Sequence, residues 1–228
     1  IHTEMLLLNI IASVYTTTTL IFNMNLLPTK YFESVISLDV IDELKKIYYN
    51  VDEYTTSVMK KATGDTPAVY ELLSTIPEID VDRIHFSNFY NHTTPYLPHT
   101  DYRFNVNENF VIPLETVNGP NPSLIIFDQW WPMDSNTWVF DTNAKFEYNK
   151  ELRGRPCDYD IEEHTHADID NKLYEDFLSY YPKKYWKGLT GSAYELKPGN
   201  LIEFDTKMIH ATGTMDCERK LGLTIRYR

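Results

Sequence analysis

His99 and Asp101 stand two apart in PYLPHTDYRF (95–104), and His210 follows the run NLIEFDTKMI. In an extended chain residues i and i+2 project from one face, so His99 and Asp101 point at a common centre. One imidazole and one carboxylate do not complete a metal site, and a third ligand has to come from a distant strand. His210 is the candidate: NLIEFDTKMI is expected to be one strand launched from KPGN, which places His210 near a strand end and facing the sheet interior. Two histidines and a carboxylate on one face of an octahedron bind Fe(II) and leave three positions open for a cosubstrate and dioxygen. A lone His-x-Asp arises easily by chance, so its weight depends on the elements around it.

Those elements are mostly short β-rich runs. From about residue 81 the chain reads DRIHFSNFY, NFVIPLE, PSLIIFDQW, TWVFD, SAYELK, NLIEFD and KLGLTIRYR, separated by turn residues, which predicts an antiparallel sandwich or jelly roll. KPGN (197–200) has the form of a type II turn and is expected to join two strands into a hairpin. Before residue 81, DVIDELKKIYY (39–49) places Val40, Ile41, Leu44, Ile47 and Tyr48 on one helical face with Asp39 as N-cap, and this helix is expected to continue in some form toward Lys61. Between about 141 and 190 a charged, aromatic stretch interrupts the strands. It reads as an insertion containing a short helix with Leu173, Phe177 and Tyr180 on one face. The whole, 1–228, is expected to be a single domain with N-terminal helical support at about 30–75.

The order His99-x-Asp101, then His210, then KLGLTIRYR resembles the 2-oxoglutarate and Fe(II)-dependent dioxygenase superfamily, with some AlkB-type and prolyl-hydroxylase-like features. The resemblance covers roughly residues 81–228. It implies a mainly β fold with flanking helices, the double-stranded β-helix (jelly roll, cupin-like), with His99, Asp101 and His210 as metal ligands. It also implies Fe(II), 2-oxoglutarate as cosubstrate and dioxygen. Asn88 and Tyr90 match the Asn-x-Tyr pair that touches the 2-oxoglutarate carboxylates in the AlkB-type branch. The last run is similar to the family's basic strand, in which Lys220, Gly222, Thr224 and Arg226 share one face and Leu221, Leu223 and Ile225 the other.

A dicarboxylate chelating a metal through its keto-acid end leaves its far carboxylate inside the barrel, where it needs a cation. Lys220 or Arg226 supplies one, with Gly222 leaving room, and Arg219 takes the role if the register slips. Lysine at 220 replaces the commoner arginine, so a point charge stands where a fork is usual. Tyr102 and Arg103, beside Asp101, are candidate substrate contacts, as are Asp128 and Gln129 at a strand end.

The formal net charge of −12 argues against phosphate-neutralising binding to nucleic acid and against anionic membrane surfaces. The AlkB-like residues pull toward nucleic acid, and the charge outweighs them, favouring hydroxylation of a small metabolite, an amino acid or a protein side chain. Cys157 and Cys217 alone make no disulfide framework, which fits a reducing, cytoplasmic setting. MLLLNIIASVY (5–15) is too short to span a bilayer, and residues 1–23, ahead of MNLLPTKYF, are expected to be an upstream extension. His164 and His166 in EEHTHAD are expected on a solvated face, and His85 and His92 to be structural or exposed. Trp130, Trp131, Trp138 and Trp186 are expected to serve the core. Two other readings compete: a non-catalytic jelly-roll module binding sugar or peptide through aromatic residues, and a cupin-type metalloenzyme not using 2-oxoglutarate.

Overall fold

The computed structural model describes residues 26–55, 60–96, 98–101, 106–130, 169–186 and 189–228. The expectations for residues 1–23, TWVFD, Trp131, Trp138, Cys157, His164 and His166 lie outside these. The strands are β1 (Lys30–Phe32), β2 (Tyr54–Thr55), β3 (Lys60–Thr63), β4 (Ile84–His92), β5 (Glu108–Val117), β6 (Ser123–Trp130), β7 (Gly191–Glu195), β8 (Leu201–Asp205), β9 (Met208–Thr212) and β10 (Arg219–Tyr227). Helices α1 (Leu38–Tyr49) and α2 (Pro67–Leu73) precede β4, and α3 (Asn171–Leu173) runs into a π-helical turn at Tyr174–Leu178. A major sheet has the order β1-β8-β5-β10-β4-β3-β2 and a minor sheet the order β7-β6-β9, with antiparallel pairing throughout. This two-sheet arrangement is the jelly roll expected from the strand pattern.

Period-two alternation sorts each strand's side chains between layers. Leu221, Leu223 and Ile225 of β10 face α1 and α2, where they bury with Ile41, Leu44, Tyr48, Val69 and Leu73. On β6, Leu124 and Ile126 turn inward and pack with Val111, Ile202 and Phe204 between the sheets. Ile125 and Phe127 turn outward onto Leu173, Leu178 and Trp186. Trp186 is thus a core residue, as expected, and Phe177 and Tyr180 pack against the same cluster.

Four expectations need correction. α1 is capped by Ser37, whose hydroxyl accepts from the Val40 amide at 3.3 Å, while Asp39 sits in the first turn, where its charge favours the helix dipole. The helix stops at Tyr49 rather than running on toward Lys61, because its apolar stripe ends there and β3 instead adds its backbone to β4. NLIEFDTKMI is not one strand: the Asp205 carboxylate accepts from the Lys207 amide at 2.9 Å, an Asx-type turn that ends β8 and starts β9 in the other sheet. KPGN does form its turn, with Asn200 N–H donating to the Lys197 carbonyl at 3.1 Å and Gly199 at φ +96°. The strands it connects lie in different sheets, so it carries the chain across the sandwich and closes no hairpin. Among the described residues no helix is long and apolar enough to cross a membrane.

Candidate metal centre and cavity

Backbone pairing brings the two histidines together. His99 N–H donates to the His210 carbonyl at 3.0 Å and His210 N–H donates back at 2.9 Å, the reciprocal pair of an antiparallel ladder. Thr212 N–H reaches the Tyr96 carbonyl at 2.8 Å and Asp101 N–H the Thr206 carbonyl at 3.0 Å. The segment around His99 therefore runs along β9, and the imidazoles lie with ring centroids 4.1 Å apart. Tyr96 packs edge-on against His99 at 4.3 Å and Phe204 against His210 at 4.8 Å.

One donor atom from each of His99, Asp101 and His210 lies within 4.8 Å of the others. His210 Nε2 is 3.4 Å from Asp101 Oδ2, and His99 Nε2 is 3.8 Å from Asp101 Oδ1. Adjacent ligands of an octahedral ion, each about 2.1 Å from it, lie about 3 Å apart, so little movement closes this set on a cation. His210 Nδ1 faces the Met208 carbonyl at 3.1 Å; a carbonyl only accepts, so Nδ1 carries a proton and Nε2 is the nitrogen turned toward Asp101 and the metal position. Two nitrogens and one carboxylate oxygen converging from an extended segment and a strand suit Fe(II), and the donor set fits the expected metal.

Asp101 is held on both oxygens. Arg226 Nη2 lies 2.5 Å from Oδ1, and Asn109 Nδ2 donates to Oδ2 at 2.8 Å. Burial acts to raise the carboxyl's pKa, but Arg226 and the two histidines outweigh it and hold the group well below the usual carboxylate range. Asp101 is therefore anionic and oriented, as a ligand must be.

The triad opens into a cavity of about 310 Å³ between the sheets. On β10 the residues Lys220, Thr224 and Arg226 line it, and on β4 so do Phe86, Asn88, Tyr90 and His92. The register places Lys220 across from His92, Gly222 from Tyr90, Thr224 from Asn88 and Arg226 from Phe86. Lys220 is 5% exposed, its Nζ donates to the Thr212 hydroxyl at 2.9 Å, and burial lowers its pKa to about 7. Thr212, which anchors this nitrogen, is two residues beyond His210, about 7 Å along β9.

The expected residues thus divide. His99, Asp101, His210, Asn88, Tyr90, Thr224, Lys220 and Arg226 share one cavity. Arg226, however, is engaged with Asp101; the other cations of the lining are Lys61 from β3 and Lys220, of which Lys220 is the buried one. Arg219 is not in the cavity: against β4 the pairing runs unshifted from Lys220 to Arg226, which puts Arg219 on the opposite face from Lys220, and its guanidinium pairs with Glu115 at 2.9 Å and the Tyr49 hydroxyl at 2.6 Å on the helix-covered face. Asp128 and Gln129 do not reach the cavity either. The Thr190 hydroxyl donates to Asp128 at 2.6 Å, and the Gln129 amide exchanges bonds with Thr190, tying the two to the β7 entry. Gly222 makes room for the Tyr90 ring, since a Cβ there would overlap the tyrosine hydroxyl. His92 is buried in the cavity wall, whereas His85 is exposed and accepts from Arg228. Tyr102 and Arg103 lie outside the described residues.

Asn109, Tyr96, His92 and Thr212 were not among the expected site residues. Thr212 and His92 carried a signal, being i+2 from His210 and from Tyr90 on the same strand faces. Asn109 carried none, because its meeting with Asp101 depends on the β5–β10 register.

No protein-family model matches the chain, and no curated protein matches it in sequence. Solved structures do. The non-heme alpha ketoglutarate dependent carbocyclase SnoK from nogalamycin biosynthesis aligns over 87% of this chain and 78% of its own, with a TM-score of 0.51 and 10% identity. HygX from Streptomyces hygroscopicus, solved with nickel and 2-oxoglutarate bound, aligns over 87% of this chain and 82% of its own, with a TM-score of 0.48 and 10% identity. A Pseudomonas putida prolyl-4-hydroxylase covers 88% of this chain and 91% of its own, with a TM-score of 0.45 and 10% identity. The protein has the jelly-roll fold on which non-heme, 2-oxoglutarate-dependent enzymes such as SnoK are built.

Proposed function

We propose that the protein is a non-haem Fe(II) and 2-oxoglutarate-dependent oxygenase that hydroxylates a small metabolite, an amino acid or a protein side chain. The observation that carries this reading is the cavity's two ends: three convergent metal-type donors at one, and at the other a buried lysine bonded to Thr212, itself about 7 Å along β9 from His210. A five-carbon dicarboxylate spans such a gap. A binding module needs neither end, and a metalloenzyme that used no dicarboxylate would have no need of a buried, hydrogen-bonded ammonium there.

In this reading His99, Asp101 and His210 hold the iron, while Arg226 and Asn109 keep the carboxylate turned toward it. Lys220 pairs with the far carboxylate, supported by the Thr212 hydroxyl, and Asn88, Tyr90 and Thr224 wall the space between. Fe(II) with 2-oxoglutarate and dioxygen supplies an oxidative decarboxylation that gives succinate and carbon dioxide and places one oxygen atom on the substrate. The chain's own share is to align the cosubstrate, exclude water and keep the ligand set in its metal-binding protonation state.

The test is succinate release from 2-oxoglutarate with Fe(II) and ascorbate, comparing wild type with His210→Ala, alongside the thermal shift that 2-oxoglutarate gives with Mn(II). Release abolished by the substitution, or a metal-dependent shift without release, supports the reading. Neither release nor shift from wild type overturns it.

A further inference from the structure

His92 has no part in the assignments above, yet it is built into the same cavity. It lies directly across from Lys220 in the β4–β10 ladder, is 5% exposed and lines the cavity wall. Its ring is held by edge-to-face contacts with Tyr90 at 5.3 Å and Tyr96 at 5.5 Å. Tyr96 in turn packs on His99, so His92 stands between the lysine end and the metal end. Its Nδ1 is buried without a hydrogen-bond partner. Burial, then the nearby Lys220 charge, hold the imidazole well below its ordinary pKa, so it is neutral, with one N–H to donate and no second cation to repel the lysine.

With Nδ1 closed off in the wall, a ligand in the cavity can bond the ring only through Nε2, with the imidazole proton on that nitrogen. The neighbouring ammonium sets the ligand's chemistry, since an anion drawn to Lys220 comes within the reach of its cross-strand neighbour. We infer that His92 donates a hydrogen bond to the distal carboxylate of the bound 2-oxoglutarate, acting with Lys220 as a two-residue clamp that discriminates a dicarboxylate from a 2-oxo acid lacking the far carboxylate. This rests on the oxygenase reading.

The experiment measures binding, not turnover. Calorimetry on the Mn(II)-loaded protein compares 2-oxoglutarate with 2-oxobutyrate, which keeps the keto-acid end and lacks the far carboxylate, in wild type, His92→Phe and His92→Gln. Loss of a hydrogen bond to a charged group predicts at least about tenfold weaker 2-oxoglutarate binding in His92→Phe, with 2-oxobutyrate affinity unchanged. His92→Gln, which retains an N–H donor, restores most of the loss. Equal 2-oxoglutarate affinity in wild type and His92→Phe overturns the inference, as does an equal loss for both ligands in both variants. A wild type that binds no 2-oxoglutarate overturns the oxygenase reading itself, and the clamp falls with it.

Discussion

Dicarboxylate binding should weaken as pH rises above 7, and replacing Lys220 with arginine should abolish that dependence. The lysine's pKa is lowered from its ordinary 10.5 to about 7 because the ammonium is buried. It is faced by Tyr90 and His92 from β4 and Thr212 from β9, with Cys217 nearby; the thiol and the Tyr90 ring, 5.5 Å from Nζ, favour the charged form, and burial outweighs them. A carboxylate pairs with the ammonium and not with the amine, so above the midpoint each binding event must first take up a proton. Affinity is then flat below pH about 7 and falls toward tenfold per pH unit above it, giving roughly 100-fold between pH 6.5 and pH 9. Near pH 8 about 0.9 proton is taken up per ligand bound, a number read from calorimetry of the Mn(II)-loaded protein in two buffers of different ionisation enthalpy. Arginine stays charged throughout, so Lys220→Arg should bind with no proton uptake and a flat profile. The same shift acts on folding with a defined sign. Between pH about 7 and 10.5 the unfolded chain holds the proton that the folded chain has lost, so this residue's contribution to stability rises with pH across that window. A wild-type affinity that is constant from pH 6.5 to 9, with no proton uptake, would refute the argument that burial of this lysine governs binding.

Two further substitutions test the packing around the site. Gly222→Ala should destabilise the protein by about 1–3 kcal/mol, because the new methyl overlaps the Tyr90 ring, and Tyr90→Ala in the same chain should relieve most of that overlap; denaturant titration of the three variants measures both. Arg219→Ala should leave 2-oxoglutarate affinity unchanged and cost less than about 1 kcal/mol, since its partners Glu115 and Tyr49 lie on the other side of the sheet and its ion pair is partly exposed; a tenfold loss of affinity would show that β10 uses this residue after all.

The alternation of KLGLTIRYR made much of this architecture legible. Three leucine and isoleucine side chains on one face and four polar or small residues on the other leave one way to lay the strand between helices and cavity, and the structure adopts it. His99 and Asp101 were readable as a pair for the same reason. What could not be read was the path of the chain between sheets. Asp205 ends β8 through a bond from its own side chain to the backbone two residues on, a local choice that the apolar run around it conceals. Arg226 and Arg219 carry the same charge at the two ends of one strand and fall on opposite faces by alternation, but the partner each meets, Asp101 for one and Glu115 for the other, comes from distant parts of the chain. Asp128 and Gln129 looked available because a strand end usually is, and Thr190 takes both through contacts 61 and 62 residues apart in sequence.

The reciprocal backbone bonds between His99 and His210 separate the scaffold from the chemistry. Those bonds, with the anchoring of Asp101 N–H on Thr206, involve no side-chain atom of any of the three residues. The donor set can therefore be rewritten, an imidazole exchanged for a carboxylate or a thiolate, while the peptide groups that aim it keep their partners. A change of metal preference in this protein is in that sense a matter of three side chains, and the frame that would receive a softer or a harder ion is already in place.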